Sequence, residues 1–213
     1  MLAMRVLWFV LAAFLLAGLW LGPLLSAWRS SVTAHMLAHM GVVAVAAPLI
    51  ALSLSACLAR FKGATLVWLP ILASLAELVV VWGWHAPAAR RLAESSLFGT
   101  VLEQASFLAA GLFLWSTCLA AGSTNDAPQR AAGALGLLLT TIHMTLLGAL
   151  LALSPRPLYQ FGEITCFGTT LTAGEDQQLG AVVMLLVGAG AYLAGGVALL
   201  SGLVDDLGRR RAV

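Results

Sequence analysis

Long apolar blocks alternate with short polar breaks along this chain, and the blocks set its architecture. Runs at 4–21, 33–54, 65–84, 97–121, 130–153 and 179–203 are each close to the roughly 20 residues that cross about 30 Å of hydrocarbon as a helix. Gly22-Pro23, Arg60-Phe61-Lys62-Gly63, Ala86-Pro87 and Ser154-Pro155-Arg156-Pro157 stand between them as turn and breaker signals, with a fifth break at 122–128. The pattern predicts an all-α fold. It is a polytopic membrane helix bundle of about six transmembrane helices, a single domain over residues 1–213 with the lipid bilayer as its solvent. The longest connector, 154–178, has room for a short interfacial segment.

Composition strengthens that reading. The chain is 61% hydrophobic and 9% charged, against about a quarter charged in a soluble domain, so its charges cannot cover a globular surface. A net charge of +2 gives no footprint for nucleic acid. Cys57, Cys118 and Cys166 form no CxxC pair and read as small packing residues. The first block follows Arg5 and is long for a signal-peptide core, with no A-x-A-like site after it, so it reads as a membrane helix.

Charge asymmetry orients the bundle. With both termini cytoplasmic, the inside holds Arg5, Arg60, Lys62, Arg130, Arg209, Arg210 and Arg211, which is 7 of the 11 basic residues. The outside holds Arg29, Arg90, Arg91 and Arg156.

Placed by depth, the polar residues gather toward one side. His35 and His39 open the second helix, Glu77 lies in the outer third of the third and His85 at its exit. Glu103 and Gln104 sit about two turns into the fourth from outside, His143 lies past the middle of the fifth, and Asp176-Gln177-Gln178 leads into the sixth. All four histidines and both intramembrane carboxylates are expected in the outer half. Ionisable groups in lipid cost several kcal/mol unless paired or hydrated, which makes each a functional candidate. Each also has a plainer reading. His35 and His39 can snorkel to water, His85 can join an aromatic belt with Trp82 and Trp84, and the glutamates can link helices while protonated. His143 continues a small and polar stripe of Gly133, Gly136 and Thr140, a face suited to the bundle interior.

His35 and His39 stand one helical turn apart on one face, a spacing that suits metal ligation. Met36 occupies the place where the zinc-protease motif needs glutamate, which speaks against a hydrolase. Met36, Met40 and Met144 lie beside the histidines, and imidazole with thioether suits copper better than magnesium or calcium. No phosphate-binding loop or dinucleotide motif is present, and the glycines at 188, 190, 195, 196 and 202 read as a close-packing face.

Five strings in order resemble one family. The segment 33–40, Thr-Ala-His-Met-Leu-Ala-His-Met, with Ala47-Pro48 after it, resembles the H-M-x-x-H-M segment of the CtaG family, associated with assembly of caa3-type cytochrome c oxidase. Trp84-His85-Ala86-Pro87 resembles its W-H-x-P, and the helix from Glu103 to Trp115 resembles its next helix. Ile142-His143-Met144 with Leu147-Gly148 and 155–159 resembles the helix and loop that follow, and Asp176-Gln177-Gln178 resembles the start of its last helix. Gln104 departs from the family, which commonly has a histidine there, and the chain is shorter than many relatives.

The resemblance implies a membrane assembly factor for a haem-copper oxidase, a chaperone of the respiratory chain rather than an enzyme. It implies oxidase subunits as partners, a periplasmic copper donor, and a bacterial inner membrane location. On this reading copper sits near the outer face on His35, His39, His85 and His143, with Met36, Met40 or Met144 as softer ligands. Glu77, Glu103 and Asp176 then orient the imidazoles or balance the charge. Two rivals are a b-type cytochrome with haem between His39 and His143, and a metal transporter, which needs a polar route to the inner side.

Overall fold

The structure is a computed structural model that describes residues 2–55, 67–123 and 126–211, with side chains as far as Val204. Among the described residues seven helices form the bundle: α1 (Leu2–Leu21), α2 (Val32–Ser53), α3 (Leu69–His85), α4 (Pro87–Ser95), α5 (Leu97–Gly122) and α6 (Ala127–Leu153), with α7 running from Ala173 to Arg211. Five are long and apolar enough to span a membrane. Among the described residues, α3 and α4 make a sixth candidate span if taken together as one broken pair, meeting at an angle of 73°. Cys57, Arg60, Lys62 and the first residues of the third predicted span lie outside the described residues, as do the side chains of Arg209, Arg210 and Arg211.

Two departures from the sequence pattern matter for the site. Ala86-Pro87 reads as a simple turn, but Pro87 starts a further helix, where its missing N–H costs nothing. The second is the connector 154–178. It contains a hairpin of β1 (Glu163–Cys166) and β2 (Thr169–Thr172), paired antiparallel from Glu163↔Thr172 to Cys166↔Thr169. Phe167 and Gly168 make its two-residue turn with φ of 52° and 77°, which matches the twist of the flanking strands. α7 begins directly after β2, at Ala173 rather than near 179. Thr172 and Glu175 close a capping box that fixes this start.

α1, α3 and α6 run toward the hairpin end of the bundle, and α2, α5 and α7 run away from it. α6 packs against α3, α5 and α7, while α2 packs against α1, α5 and α7. Glycines set the close approaches. A Cβ at Gly136 would meet the Pro70 carbonyl of α3 at 2.9 Å, and one at Gly180 would meet Val32 of α2 at 3.0 Å. The predicted packing face of α7 holds at Gly188 and Gly195, whereas Gly190 faces open space.

α2 and α7 each contain a π-helical turn, Gly41–Ala46 and Ala189–Leu193. In α2, Ala47 N bonds Val42 O five residues back, just ahead of Pro48, which cannot donate to the helix. Within that turn the Val43 carbonyl accepts from Trp115 Nε1 at 2.9 Å. The Trp115 ring stacks on Tyr192 of the α7 turn, with centres 5.6 Å apart. The two irregular turns therefore meet in the core around one tryptophan.

Candidate functional site

Three histidines converge near the hairpin end. His35 and His39 lie one turn apart on α2, with ring centres 6.1 Å apart and planes only 10° from parallel. His85, the last residue of α3, stands 5.3 Å from His35 and 5.4 Å from His39. Phe107 of α5 covers the inner side at 4.2 Å from His39. All three imidazoles are buried.

Hydrogen bonds assign their tautomers. His85 Nδ1 lies 2.7 Å from the Val81 carbonyl and must donate to it, so Nε2 keeps its lone pair and has no partner. His39 makes no hydrogen bond through either ring nitrogen. His35 differs. Arg90 Nη1 stands 2.9 Å from His35 Nδ1, and a guanidinium only donates, so Nδ1 accepts and the neutral ring carries its proton on Nε2. Glu103 Oε1 lies 3.8 Å from the same Nδ1 and has no hydrogen-bond partner of its own.

Arg90 is brought there by α4, the element that the sequence pattern does not suggest. The break at Ala86-Pro87 turns α4 across the bundle end and buries Arg90. The guanidinium also bonds the Arg29 carbonyl at 2.9 Å, pairs with Glu94 at 3.0 Å, and lies 3.7 Å from Glu103. Gln104 links this group to α1. Its Nε2 donates to Glu103 at 3.3 Å and its Oε1 accepts from Trp20 Nε1 at 3.1 Å.

Asp176 and Gln177 hold the frame. The Asp176 carboxylate accepts from Ser31 Oγ at 2.8 Å, Val32 N at 2.6 Å and Thr33 N at 3.3 Å. It thus satisfies the open N–H groups at the start of α2, one turn ahead of His35. Gln177 accepts from Leu158 N and donates to the Leu151 carbonyl, pinning the loop after α6. In that loop Tyr159 donates to the His85 carbonyl at 2.9 Å. Burial pushes the Tyr159 phenol up to about 12, so it remains a donor at neutral pH.

The remaining candidates lie elsewhere. The ring contacts that join His35, His39 and His85 do not extend to His143 among the described residues. Glu77 stands at the middle of α3, about two turns from His85, rather than in the outer third of its span. It accepts from Tyr192 at 2.8 Å and touches no imidazole of the triad. Met36 and Met40 are fully buried in the apolar core, with the Met40 methyl and Met144 Cβ both beside Gly188 of α7. Tyr192→Phe leaves Glu77 Oε1 buried without its donor. It is expected to cost about 1–3 kcal/mol, read as a lower Tm in detergent; an unchanged Tm would mean that Oε1 finds a replacement donor.

Three imidazoles are borderline nitrogen donors, a type that suits copper, zinc, iron or nickel. An ion held through Nε2 at about 2.0 Å stands about 3.2 Å from each ring centre, which spaces three imidazoles about 5–5.5 Å apart. The observed 5.3, 5.4 and 6.1 Å lie at and just above that spacing. As the side chains stand, no three His, Cys, Asp or Glu groups among the described residues converge on one point. Closing them needs His35 to change tautomer and the rings to tip inward.

Sequence reasoning placed the three histidines and Glu103 and missed Arg90, Phe107, Tyr159 and Tyr192. Arg90 had one readable signal, its i,i+4 spacing to Glu94 behind a proline at a helix start. Phe107 and the tyrosines had none, because nothing in an apolar run says which ring faces an imidazole.

Compared with known proteins, the chain matches the family model described as cytochrome c oxidase caa3 assembly factor over residues 2–206. No curated protein and no solved structure matches it.

Proposed function

This chain belongs to the family of cytochrome c oxidase caa3 assembly factors, and we propose that in that role it holds copper on His35, His39 and His85. The observation that carries this reading is three buried imidazoles within 6.1 Å of one another, with His39 and His85 Nε2 unpaired and His35 Nε2 freed as a third donor once its proton moves to Nδ1. A buried imidazole nitrogen without a partner is costly, and a metal ion satisfies it. Three imidazoles suit copper among the ions an oxidase needs.

The hairpin end faces the outside of a bacterial inner membrane. The basic residues Arg5, Arg130, Arg209, Arg210 and Arg211 then lie at the cytoplasmic end. The protein carries out no covalent chemistry. It receives the ion from a periplasmic copper donor and presents it to oxidase subunits while their copper centres form. His35, His39 and His85 would hold the ion; Phe107 covers the inner side, and Tyr159 and Val81 hold the backbone and ring of His85.

Copper per chain in detergent-purified protein after anaerobic Cu(I) loading tests the site, with His39→Ala/His85→Ala as the comparison. Near one equivalent in the wild type, lost in the variant, is the expected result. It should be accompanied by an oxidase that lacks copper in cells carrying the variant. Equal copper in both proteins, or a fully copper-loaded oxidase in variant cells, would sink the reading. A Soret band in the purified protein would favour haem instead.

A further inference from the structure

α1 and α5 both pack on α2, and a slot of about 380 Å³ lies between them near the hairpin end. That volume falls in the roughly 300–1,000 Å³ range of small-molecule sites. Leu97, Val101 and Ala105 recur every fourth residue along one face of α5 and form one wall. α5 runs away from the hairpin end, so these three descend about 12 Å into the bundle at 1.5 Å per residue. Leu21 and Leu25 form the opposite wall. At the foot, the bond from Trp20 Nε1 to Gln104 Oε1 at 3.1 Å ties α1 to α5.

The mouth of the slot is polar. Arg29 and Ser26, from the loop between α1 and α2, line it. Arg29 Nε donates to the Leu25 carbonyl and Nη1 to the Glu94 carbonyl, each at 3.2 Å, which holds the guanidinium in place. Both acceptors are neutral. Among the described residues no carboxylate pairs with Arg29, and its Nη2 makes no hydrogen bond. Below the mouth, Leu21, Leu97 and Val101 are exposed, at a depth where the bundle is surrounded by hydrocarbon. A fixed, uncompensated positive charge above a deep apolar slot matches one kind of occupant, an amphiphile with an anionic head and an acyl chain.

We propose that this slot binds one anionic phospholipid from the leaflet at the hairpin end, with its phosphate on Arg29 and Ser26 and one acyl chain between α1 and α5. A zwitterionic lipid can fill the same slot, but its headgroup brings a cation to Arg29, so the guanidinium supplies the preference for net negative charge. The Arg29 backbone carbonyl accepts from Arg90 Nη2 at 2.9 Å. A bound headgroup therefore steadies the loop segment that holds Arg90. The site needs no metal ion, so it stands whether or not the triad holds copper.

Native mass spectrometry of the full protein in detergent tests it, with phosphatidylglycerol and phosphatidylcholine of matched chains added in equal amounts. Wild type is expected to keep one phosphatidylglycerol at about tenfold preference, the scale of one hydrogen bond to a charged group. Arg29→Gln removes the preference, whereas Arg29→Lys keeps the charge and retains most of it. Val101→Trp fills the slot and loses both lipids. Glycerol phosphate, which has no acyl chain, is expected to leave no adduct. Equal adducts of the two lipids on wild type, or a preference that survives Arg29→Gln, overturn the proposal. A glycerol phosphate adduct as strong as the lipid overturns it in favour of a simple anion site. Phosphatidylglycerol retained in Val101→Trp also overturns it, because the chain then lies outside the slot.

Discussion

Arg90→Gln is expected to tighten Cu(I) binding by roughly ten- to a hundredfold. In the structure the guanidinium acts on His35 in two ways. It donates to Nδ1 at 2.9 Å, which leaves the proton on Nε2 and removes that nitrogen as a ligand. It also places a fixed positive charge beside the proposed ion. At about 6 Å and an effective dielectric near 20, that repulsion is about 3 kcal/mol, or roughly a hundredfold in Kd. Once Arg90 is gone, His35 Nδ1 can carry its proton toward Glu103 Oε1, which stands 3.8 Å away without a hydrogen bond. The Glu103 carboxylate then loses its neighbouring cation and adds attraction for the metal. Competition titration against a Cu(I) chelator reads the change. Weaker binding in Arg90→Gln would show that the guanidinium organises the site instead of competing with the ion.

Asp176→Ala should be the most damaging single change at this end of the bundle, at about 4 kcal/mol. The carboxylate is buried and accepts three hydrogen bonds at the first turn of α2, two of them from backbone N–H groups. Bonds to a charged acceptor contribute about 1.5–3 kcal/mol each and do not add fully. The negative charge also complements the positive end of the α2 dipole. For a chain of this length, about 4 kcal/mol corresponds to a fall in Tm of roughly 8–16 °C. Asp176→Asn keeps one acceptor and should lose about half as much. Because α2 carries His35 one turn later, Asp176→Ala should also weaken copper binding, whereas a Tm within about 2 °C of wild type would remove Asp176 as the anchor of α2.

Together these two residues separate what tethers α2 from what acts on its histidines. The sequence groups Asp176 and Glu103 as carboxylates that orient imidazoles. In the structure Asp176 meets the helix end and Glu103 meets Arg90, His35 and Gln104. Gln104 spends its amide on Glu103 and Trp20.

Hydrophobic run length by itself determined the membrane bundle, because the cost of exposing backbone groups to lipid leaves helices as the only spans for such blocks. It located α1, α2, α5 and α6 to within a few residues. Helical spacing put His35 and His39 on one face, a local relation that period alone carries. The tertiary structure decided everything that depends on how helices pair: that His85 joins those two, that His143 does not, and that Glu77 faces Tyr192. It also decided the bend that swings Arg90 inward, since Pro87 permits a turn or a new helix and only packing across the bundle end selects between them. Side chains distant in sequence are brought together by interhelical register, and that register rests on glycine contacts and single hydrogen bonds such as Ser74 to Thr140, which leave no periodic trace in the chain.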